Sequence, residues 1–261
     1  MTVVVAFVTA EAAVMASDTE GTESDQTRRD VDKIWSCGPV LLGYTGTSVI
    51  QQPLRAALDQ TLPNAHANGP LDRWNMRKEI CAAAAPVLQS AYASRVPRLP
   101  PQIVPPELMG TLLVVGRDKK GFWLIEVNEN NNPTFYDDGF HAVGSGSVAA
   151  KVSRGLLGRY EPIGRSLAHL RLIAYRTIAG CIGVLGGTHG VGGSVRMWCA
   201  QGTDPFAEVD ERTLQSIRNG VGQWTTIEAE SLDRVVFEEA DPLGTAMPEA
   251  LEAAEAPVPK K

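Results

Sequence analysis

The sequence predicts an α+β fold in which two antiparallel β-sheets stack face to face and a helix pair covers each outer side, giving a four-layer αββα sandwich. Two observations indicate this fold. Strand-like and helix-like segments come in blocks, in the order strands, two helices, strands, two helices, strand. Short turns separate neighbouring strand segments, which favours antiparallel hairpins. Blocks of this kind are typical of α+β layers and not of βαβ alternation.

The first block holds four predicted strands in two hairpins. Its segments are β-branched or apolar, as strands are, and cover residues 2–8, 12–18, 33–37 and 40–46. A short turn at 9–11 joins the first pair, and Gly38-Pro39 is a turn signal between the last pair. The polar segment 19–32 is interpreted as a loop between the two hairpins.

Two helices are predicted next, over 47–62 and 71–94, where strong helix formers are frequent. Pro53 must lie near the first turn of its helix or kink it, and Pro86 is expected to bend or divide the second helix. The proline-rich segment 95–110 is predicted to be an extended connector on the surface.

The second half repeats the pattern of strands followed by helices. Strands are predicted at 110–118, 121–128, 134–139 and 140–146, helices at about 147–158 and 163–183, and a closing strand at 192–200. We therefore predict a main domain over residues 1–202.

The last sixty residues differ in composition. Residues 203–239 are predicted to be a partly ordered extension, with a helix within 206–224 interrupted by Gly220 and Gly222, and a strand at 232–239. Residues 240–261 form an acidic, Ala- and Pro-rich tail that we expect to be disordered.

Composition narrows the function classes. The net charge of −6 does not favour binding to nucleic acid, which is itself negatively charged. No apolar run reaches the roughly 20 residues that a membrane span needs. The N-terminal stretch lacks the basic region of a signal peptide, so we expect a cytoplasmic protein. The four cysteines and four histidines form no ligand-spaced pairs, and we therefore expect no metal and no cofactor.

Thr2 occupies a chemically special position. Removal of Met1 would leave a free α-amine beside the Thr2 hydroxyl, and such an amine, with a reference pKa of about 7.7–8.0, can act as base for its own side chain. Because residues 2–18 form a hairpin with a short turn, we expect Asp18 to lie near Thr2. Lys33, at the start of the third strand, would lie on the same rim, where it can lower the pKa of the hydroxyl while Asp18 fixes it.

These residues resemble the catalytic trio of the proteasome β-subunit family, the N-terminal-nucleophile (Ntn) threonine peptidases that include HslV-type and ancestral-β-type bacterial proteases. "VVVAFVTAEAAVMASD" is similar to the family's opening hairpin, and "KIWSCGPVLLGYTGTSV" to its lysine strand and the next strand. By this match Gly46 resembles the glycine whose N–H forms the oxyanion hole. Ser145, in "VGSGS", resembles the serine near the threonine amine. The resemblance covers roughly residues 2 to 200.

The resemblance implies the Ntn-hydrolase fold and threonine-type endopeptidase activity on peptides or unfolded proteins. It also implies a homo-oligomeric ring and an ATP-dependent unfoldase partner, while charge and apolar run length, as given above, predict no nucleic acid and no membrane.

Several positions depart from the family pattern. The gap from Lys33 to the glycine is one residue short, and Glu20 stands where an arginine is common. In "GGTHGVGG", Thr188 and Val191 stand where active members usually have an aspartate and a serine, and His189 is the nearest polar substitute. Two alternatives therefore stay open: a catalytically silent protein that keeps the fold for assembly or binding, and an amidase of the same nucleophile class that acts on a small molecule.

Overall fold

Two five-stranded antiparallel sheets form the centre of the fold. The computed structural model describes residues 2–22, 28–67, 72–95, 110–128, 134–135, 138–157, 166–186 and 191–237. The strands in it are β1 (Val4–Val8), β2 (Ala12–Asp18), β3 (Glu20–Thr22), β4 (Arg28–Asp30), β5 (Ile34–Cys37), β6 (Val40–Thr45), β7 (Thr111–Asp118), β8 (Gly121–Val127), β9 (Thr134–Phe135), β10 (Phe140–Val143), β11 (Val195–Gln201) and β12 (Ala207–Glu208). The first sheet has the order β10-β1-β2-β11-β12, the second has the order β5-β6-β7-β8-β9, and β3 pairs with β4 in a separate ribbon.

The two sheets pack against each other through alternating residues of their strands. Val4, Ala6 and Val8 of β1 share one buried cluster with Leu41 of β6 and Leu113 of β7. The intervening residues of β1 point to the opposite side and are also buried, because helices cover that side. A strand buried on both faces is expected to be an unbroken apolar run, which is the pattern of the N-terminal sequence.

Five helices are present in the described residues, and four of them form the outer layers. The helices are α1 (Ser48–Ala67), α2 (Arg73–Arg95), α3 (Ser147–Leu157), α4 (Leu167–Leu185) and α5 (Glu211–Phe237). α1 and α2 pack together and cover the second sheet, with Leu54, Leu58 and Ile80 buried against it. α3 and α4 pack together and contact β1, with α4 also lying on β2. The predicted α+β four-layer sandwich is thereby confirmed.

By length and composition, α4 is the one helix in the described part of the chain that is apolar enough to cross a membrane. Its inner face, including Leu170, Ile173 and Ile178, is buried, and the helix packs on β1 and β2. Core packing therefore accounts for its apolar composition.

Some predicted elements differ from the structure. The predicted loop at 19–32 contains β3 and β4. α1 extends to Ala67 through both Pro53 and Pro63, and α2 continues through Pro86 as one helix. Most of the predicted connector at 95–110 lies outside the described residues.

The helix and strand predicted within the C-terminal extension are not the elements that the structure has there. A single helix, α5, runs from Glu211 to Phe237, through both glycines and into the segment predicted as a strand. Its start is fixed by Asp210, whose carboxylate accepts a hydrogen bond from the Thr213 N–H at 2.9 Å. Each glycine costs a helix about 1 kcal/mol, which a helix of 27 residues tolerates.

Contacts along the chain define two units, Met1–Leu214 and Gln215–Lys261. The described part of the second unit is the portion of α5 that follows Leu214. The domain boundary after residue 202 stays a prediction, and the predicted tail at 240–261 lies outside the described residues.

Candidate active site

The β1–β2 hairpin brings Thr2 and Asp18 together. Val4 is paired with Ser17 in the antiparallel register, so the residues before β1 lie opposite the end of β2. The Thr2 hydroxyl donates a hydrogen bond to Asp18 Oδ1 at 2.8 Å, and the Val3 N–H donates to the same oxygen at 2.9 Å. Both side chains are buried, with Thr2 only 6% exposed and Asp18 fully enclosed. The hairpin geometry expected from the sequence is therefore the geometry observed.

Lys33 enters the site from the second sheet. It directly precedes β5, and its carbonyl accepts a hydrogen bond from the Tyr44 N–H at 2.9 Å. Its ammonium group lies 2.8 Å from Asp18 Oδ1 and 2.6 Å from the carbonyl oxygen of Glu20. The Lys33–Asp18 ion pair thus connects the two sheets at the rim of the sandwich, and Lys33 shares its carboxylate oxygen with the Thr2 hydroxyl.

The charge state of Lys33 is set by two opposing effects. Burial lowers the pKa of its ammonium group below the ordinary value of 10.5, and the neighbouring Asp18 carboxylate raises it again in part. Desolvation disfavours the charged form of a lysine, whereas an opposite charge in contact favours it. Asp18 is therefore what allows a cation to be held at this buried position.

Within the described part of the chain, the Asp18 carboxylate accepts four hydrogen bonds. Three donors converge on Oδ1, and the Gly192 N–H donates to Oδ2 at 3.1 Å. Each carboxylate oxygen has about two lone-pair directions, so the donors crowd on Oδ1, while Oδ2 accepts one hydrogen bond. The resulting network holds the start of β1, the Lys33 side chain and the segment before β11 in one arrangement.

Ser145 lies on the other side of Thr2. Its hydroxyl accepts a hydrogen bond from the Thr2 nitrogen at 3.0 Å and donates one to the Thr2 carbonyl oxygen at 3.3 Å. The Gly146 N–H also donates to that carbonyl, at 3.2 Å. The turn between β10 and α3 therefore fixes the Thr2 backbone on both sides, with a polar group beside the nitrogen.

Gly46 follows β6 at the same rim. Its φ of +142° is a conformation that side-chain-bearing residues rarely adopt, and a Cβ there would lie 2.6 Å from Gly110 Cα. Its neighbour Thr45 adjoins the Ser145 turn, since a Cβ on Gly144 would lie 3.0 Å from Thr45 Cγ2 and 2.3 Å from the Thr2 carbonyl oxygen. A glycine amide thus lies one residue from a side chain that borders the site.

The segment before β11 differs most from the pattern of active family members. Val191 is fully buried, and a Cβ on Gly146 would lie 3.4 Å from its Cγ2. The side chain therefore packs at the start of α3 and supplies no polar group there. Thr188 and His189 lie outside the described residues.

Sequence reasoning missed three contributors to this network: the amides of Val3 and Gly192 and the carbonyl of Glu20. The position of a backbone amide or carbonyl cannot be read from residue types. The glycine pair at 192–193 was the only sequence feature that indicated a close approach of the backbone to a neighbouring group. Gly192 does require this, because a Cβ there would lie 2.2 Å from Glu20 Oε2. In the described part of the chain, no group of three or more His, Cys, Asp or Glu side chains is placed to hold a metal ion.

Comparison with known proteins gives a structural relative and no sequence relative. No family model matches the chain, and no curated protein matches it. A similar solved structure is the Anbu (Gly-1) mutant from Hyphomicrobium sp. strain MC1, a proteasome-related ancestral β-type subunit. The TM-score is 0.68 at 15% sequence identity, and the match covers 93% of this chain and 100% of that chain. At this identity the likeness shows the fold alone.

The comparisons correct the assignment of the chain, from its sequence, to the proteasome β-subunit family of threonine peptidases. As a family assignment it is wrong, because neither comparison by sequence supports it. What the findings support is a proteasome-like Ntn fold shared with Anbu.

Proposed function

We propose that this protein is a threonine-type peptidase that hydrolyses peptide bonds with Thr2 as its nucleophile, once Met1 is removed. The observation that carries the proposal is the shared acceptor of the site: the Thr2 hydroxyl and the Lys33 ammonium group both lie 2.8 Å from Asp18 Oδ1. A proteasome-like Ntn fold is compatible with a hydrolase of this class.

In the first half of the proposed reaction, the free Thr2 amine takes the proton from the Thr2 hydroxyl. The oxygen then attacks the carbonyl carbon of the scissile bond and forms a tetrahedral intermediate. Lys33, held by Asp18, stabilises the negative charge that develops on the Thr2 oxygen. The Gly46 N–H donates to the oxyanion of the intermediate. Ser145, 3.0 Å from the Thr2 nitrogen, orients the amine.

Collapse of the intermediate breaks the carbon–nitrogen bond. The protonated Thr2 amine gives its proton to the leaving nitrogen, and the acyl group remains as an ester on the Thr2 oxygen. The amine then accepts a proton from water, the resulting hydroxide attacks the ester, and the Thr2 hydroxyl is regenerated. No group other than water is consumed.

The proposal extends to assembly and location. A proteasome-like fold makes oligomeric assembly possible, and we propose a homo-oligomeric ring that receives unfolded protein from an ATP-dependent unfoldase. We also propose a cytoplasmic location, which suits four cysteines that are all unpaired and buried.

A second candidate is a catalytically silent protein that uses the fold for assembly or binding. Val191 favours it, since a fully buried apolar side chain occupies the position of the expected serine. The polar network at Asp18 favours the enzyme, because four donors are brought to one buried carboxylate beside a threonine hydroxyl.

Two measurements separate these candidates. Intact mass of the purified protein reports whether Met1 has been removed, as catalysis requires. Treatment with an epoxyketone, which bonds to both the amine and the hydroxyl of an N-terminal threonine, is then expected to modify Thr2, and peptide mapping locates the adduct. An assembled, Met1-free sample that stays unmodified at Thr2 would support the silent protein.

Three matched chains test the substrate class. Thr2→Ala is expected to lose hydrolysis of an unfolded protein, whereas Thr2→Ser keeps a hydroxyl nucleophile and should retain measurable activity. If the native chain cleaves small amides and leaves unfolded protein intact, the amidase alternative replaces the peptidase.

A further inference from the structure

Glu20 lies at the base of the β3–β4 ribbon, directly beside the candidate site. Its carbonyl oxygen accepts a hydrogen bond from the Lys33 ammonium group at 2.6 Å, and its N–H donates to the Gly192 carbonyl at 3.1 Å. The residue before it is also fixed, because the Thr19 carbonyl accepts a hydrogen bond from the Val31 N–H at 2.8 Å. The backbone of Glu20 is therefore held at both of its peptide groups.

The Glu20 carboxylate is buried against the backbone that also holds Asp18. Glu20 is 7% exposed, and a Cβ on Gly192 would lie 2.2 Å from its Oε2. The N–H of the same glycine donates to Asp18 Oδ2 at 3.1 Å. Water and salt screen a buried charge much less than a charge at the surface. The Glu20 carboxylate therefore acts on neighbouring charges more strongly than an exposed carboxylate would.

A second carboxylate lies directly across the ribbon. Glu20 is paired with Asp30 in the antiparallel register of β3 and β4, and residues paired in this way have their side chains on the same face. Like charges in directly opposite positions destabilise a strand pair, and a nearby cation offsets their repulsion. Lys33 is a cation at the required place. Because Asp30 is exposed and Glu20 is buried, Glu20 is the member of the pair that interacts more strongly with Lys33.

The charge of Lys33 depends on more than one carboxylate. Burial lowers the pKa of its ammonium group, and the negative charges of Asp18 of β2, Glu20 of β3 and Asp30 of β4 raise it again in part. Burial, and then the nearby Asp18 charge, raise the pKa of the Cys181 thiol of α4 to about 11, so this thiol is neutral at pH 7. Asp18 is in direct contact with Lys33, but the same oxygen accepts hydrogen bonds from two other donors. A second buried anion therefore has an effect of its own on Lys33.

We infer that Glu20 is a positioning residue of the candidate site: its carbonyl oxygen fixes the Lys33 side chain, and its buried carboxylate keeps that side chain charged beside Asp18. The inference rests on the function proposed above, in which a charged Lys33 stabilises the negative charge on the Thr2 oxygen. Asp18 orients Lys33 by contact, and Glu20 acts on the charge of Lys33 without taking an acceptor position from the Thr2 hydroxyl.

The charge of Lys33 is measurable by NMR without any assay of activity. In the full chain with ¹³C-labelled lysines, the Lys33 Cε signal reports the ratio of charged to neutral amine as the pH rises, and Lys33→Arg identifies that signal by removing it. Glu20→Gln keeps the size of the side chain and removes its charge. At a given pH, the ratio of charged to neutral Lys33 should fall about threefold or more in Glu20→Gln.

Asp30→Asn is the matched control. It removes the same charge from the same ribbon, but at an exposed position, so the ratio should change by less than about twofold. Glu20→Asp keeps a carboxylate and should restore most of the native ratio. Glu20→Ala removes the charge without leaving an amide to be buried, and it gives the same measurement if Glu20→Gln does not fold.

The pH profile of peptide hydrolysis gives the functional measurement. Removal of Met1 adds the Thr2 amine, which must be neutral to act as a base and so limits activity at low pH. At high pH, kcat/KM should fall as Lys33 loses its proton, and in Glu20→Gln this fall should begin at a lower pH than in the native chain. A merely structural role of Glu20 would lower the activity without moving this limb of the profile.

The two measurements separate the inference from the proposed function. An unchanged ratio of charged to neutral Lys33 in a folded Glu20→Gln or Glu20→Ala chain would overturn the inference, and the proposed function would stand if the native chain still hydrolyses peptides. A native chain that hydrolyses no peptide, but in which Glu20→Gln still lowers the ratio, would refute the proposed function and support the effect of Glu20 on Lys33.

Discussion

Replacing Asp18 by asparagine keeps the shape of the side chain and removes its charge. The Asn amide presents an NH₂ group where the carboxylate now accepts, so at least one of the four donors loses its acceptor. More importantly, the Lys33 ammonium group would remain buried without an anion. Removal of one partner from a buried ion pair costs about 3–5 kcal/mol.

For a protein of this size, each kcal/mol lowers the melting temperature by about 2–4 °C, so Asp18→Asn should lower it by about 6–20 °C. Chemical denaturation at pH 7 measures the same loss as a free energy of unfolding. Asp59→Asn is the matched control: Asp59 is in an ion pair with Arg55, but both side chains are about half exposed. The loss there should stay below about 1 kcal/mol.

The loss in Asp18→Asn should also shrink as the pH rises. Burial already lowers the pKa of Lys33 below 10.5, and without the Asp18 carboxylate it falls further. Between the folded pKa and 10.5, the unfolded chain binds the Lys33 proton and the folded chain does not, so the free energy of unfolding increases with pH. The double variant Asp18→Asn, Lys33→Met removes both charges and should recover stability at pH 7. A loss below 1 kcal/mol for Asp18→Asn, or one that the second substitution does not relieve, would refute this account of the site.

Three further predictions follow from single residues. Gly46→Ala should destabilise the fold by about 1–3 kcal/mol in urea titrations, because Gly46 has a positive φ. Gly155→Ala is the control: Gly155 lies on an exposed helix face, and no atom lies within 4 Å of the new carbon. It should leave the stability unchanged or raise it by up to about 1 kcal/mol. Val191→Ser should lower the free energy of unfolding by about 1–3 kcal/mol, because it buries a hydroxyl in an apolar contact; unchanged stability would mean that the serine finds a polar partner. Burial raises the pKa of Cys37 to about 12 and that of Cys181 to about 11, so both thiols should react with Ellman's reagent at pH 8 only after unfolding, and fast reaction in the native protein would contradict their burial.

Much of the fold could be predicted from the sequence because its local signals agree with its tertiary packing. The β1–β2 hairpin is apolar on both faces and has a short turn, and the structure buries both faces. The failures lie where local preference and context disagree. The segment 232–239 has strand-like valines, but a helix that starts at Asp210 continues through it.

The candidate site was predictable in its side chains and not in its backbone. A hairpin of known turn length must return Asp18 to Thr2, and the structure has that contact at 2.8 Å. The Gly192 amide, by contrast, reaches Asp18 across 174 residues of chain. Which peptide group lies against Asp18 Oδ2 depends on how β11 pairs with β2, and no residue type encodes that pairing.

The Lys33–Asp18 pair has a consequence for the stage of folding at which the candidate site can form. One partner belongs to each sheet, and neither charge is tolerable in an apolar interior by itself. The site therefore exists only after the two halves of the sandwich have closed on each other. A nascent or partly opened chain, with its sheets apart, holds a threonine whose hydroxyl is an ordinary alcohol. On the function proposed above, a chain in which the two sheets have not closed on each other would therefore lack peptidase activity.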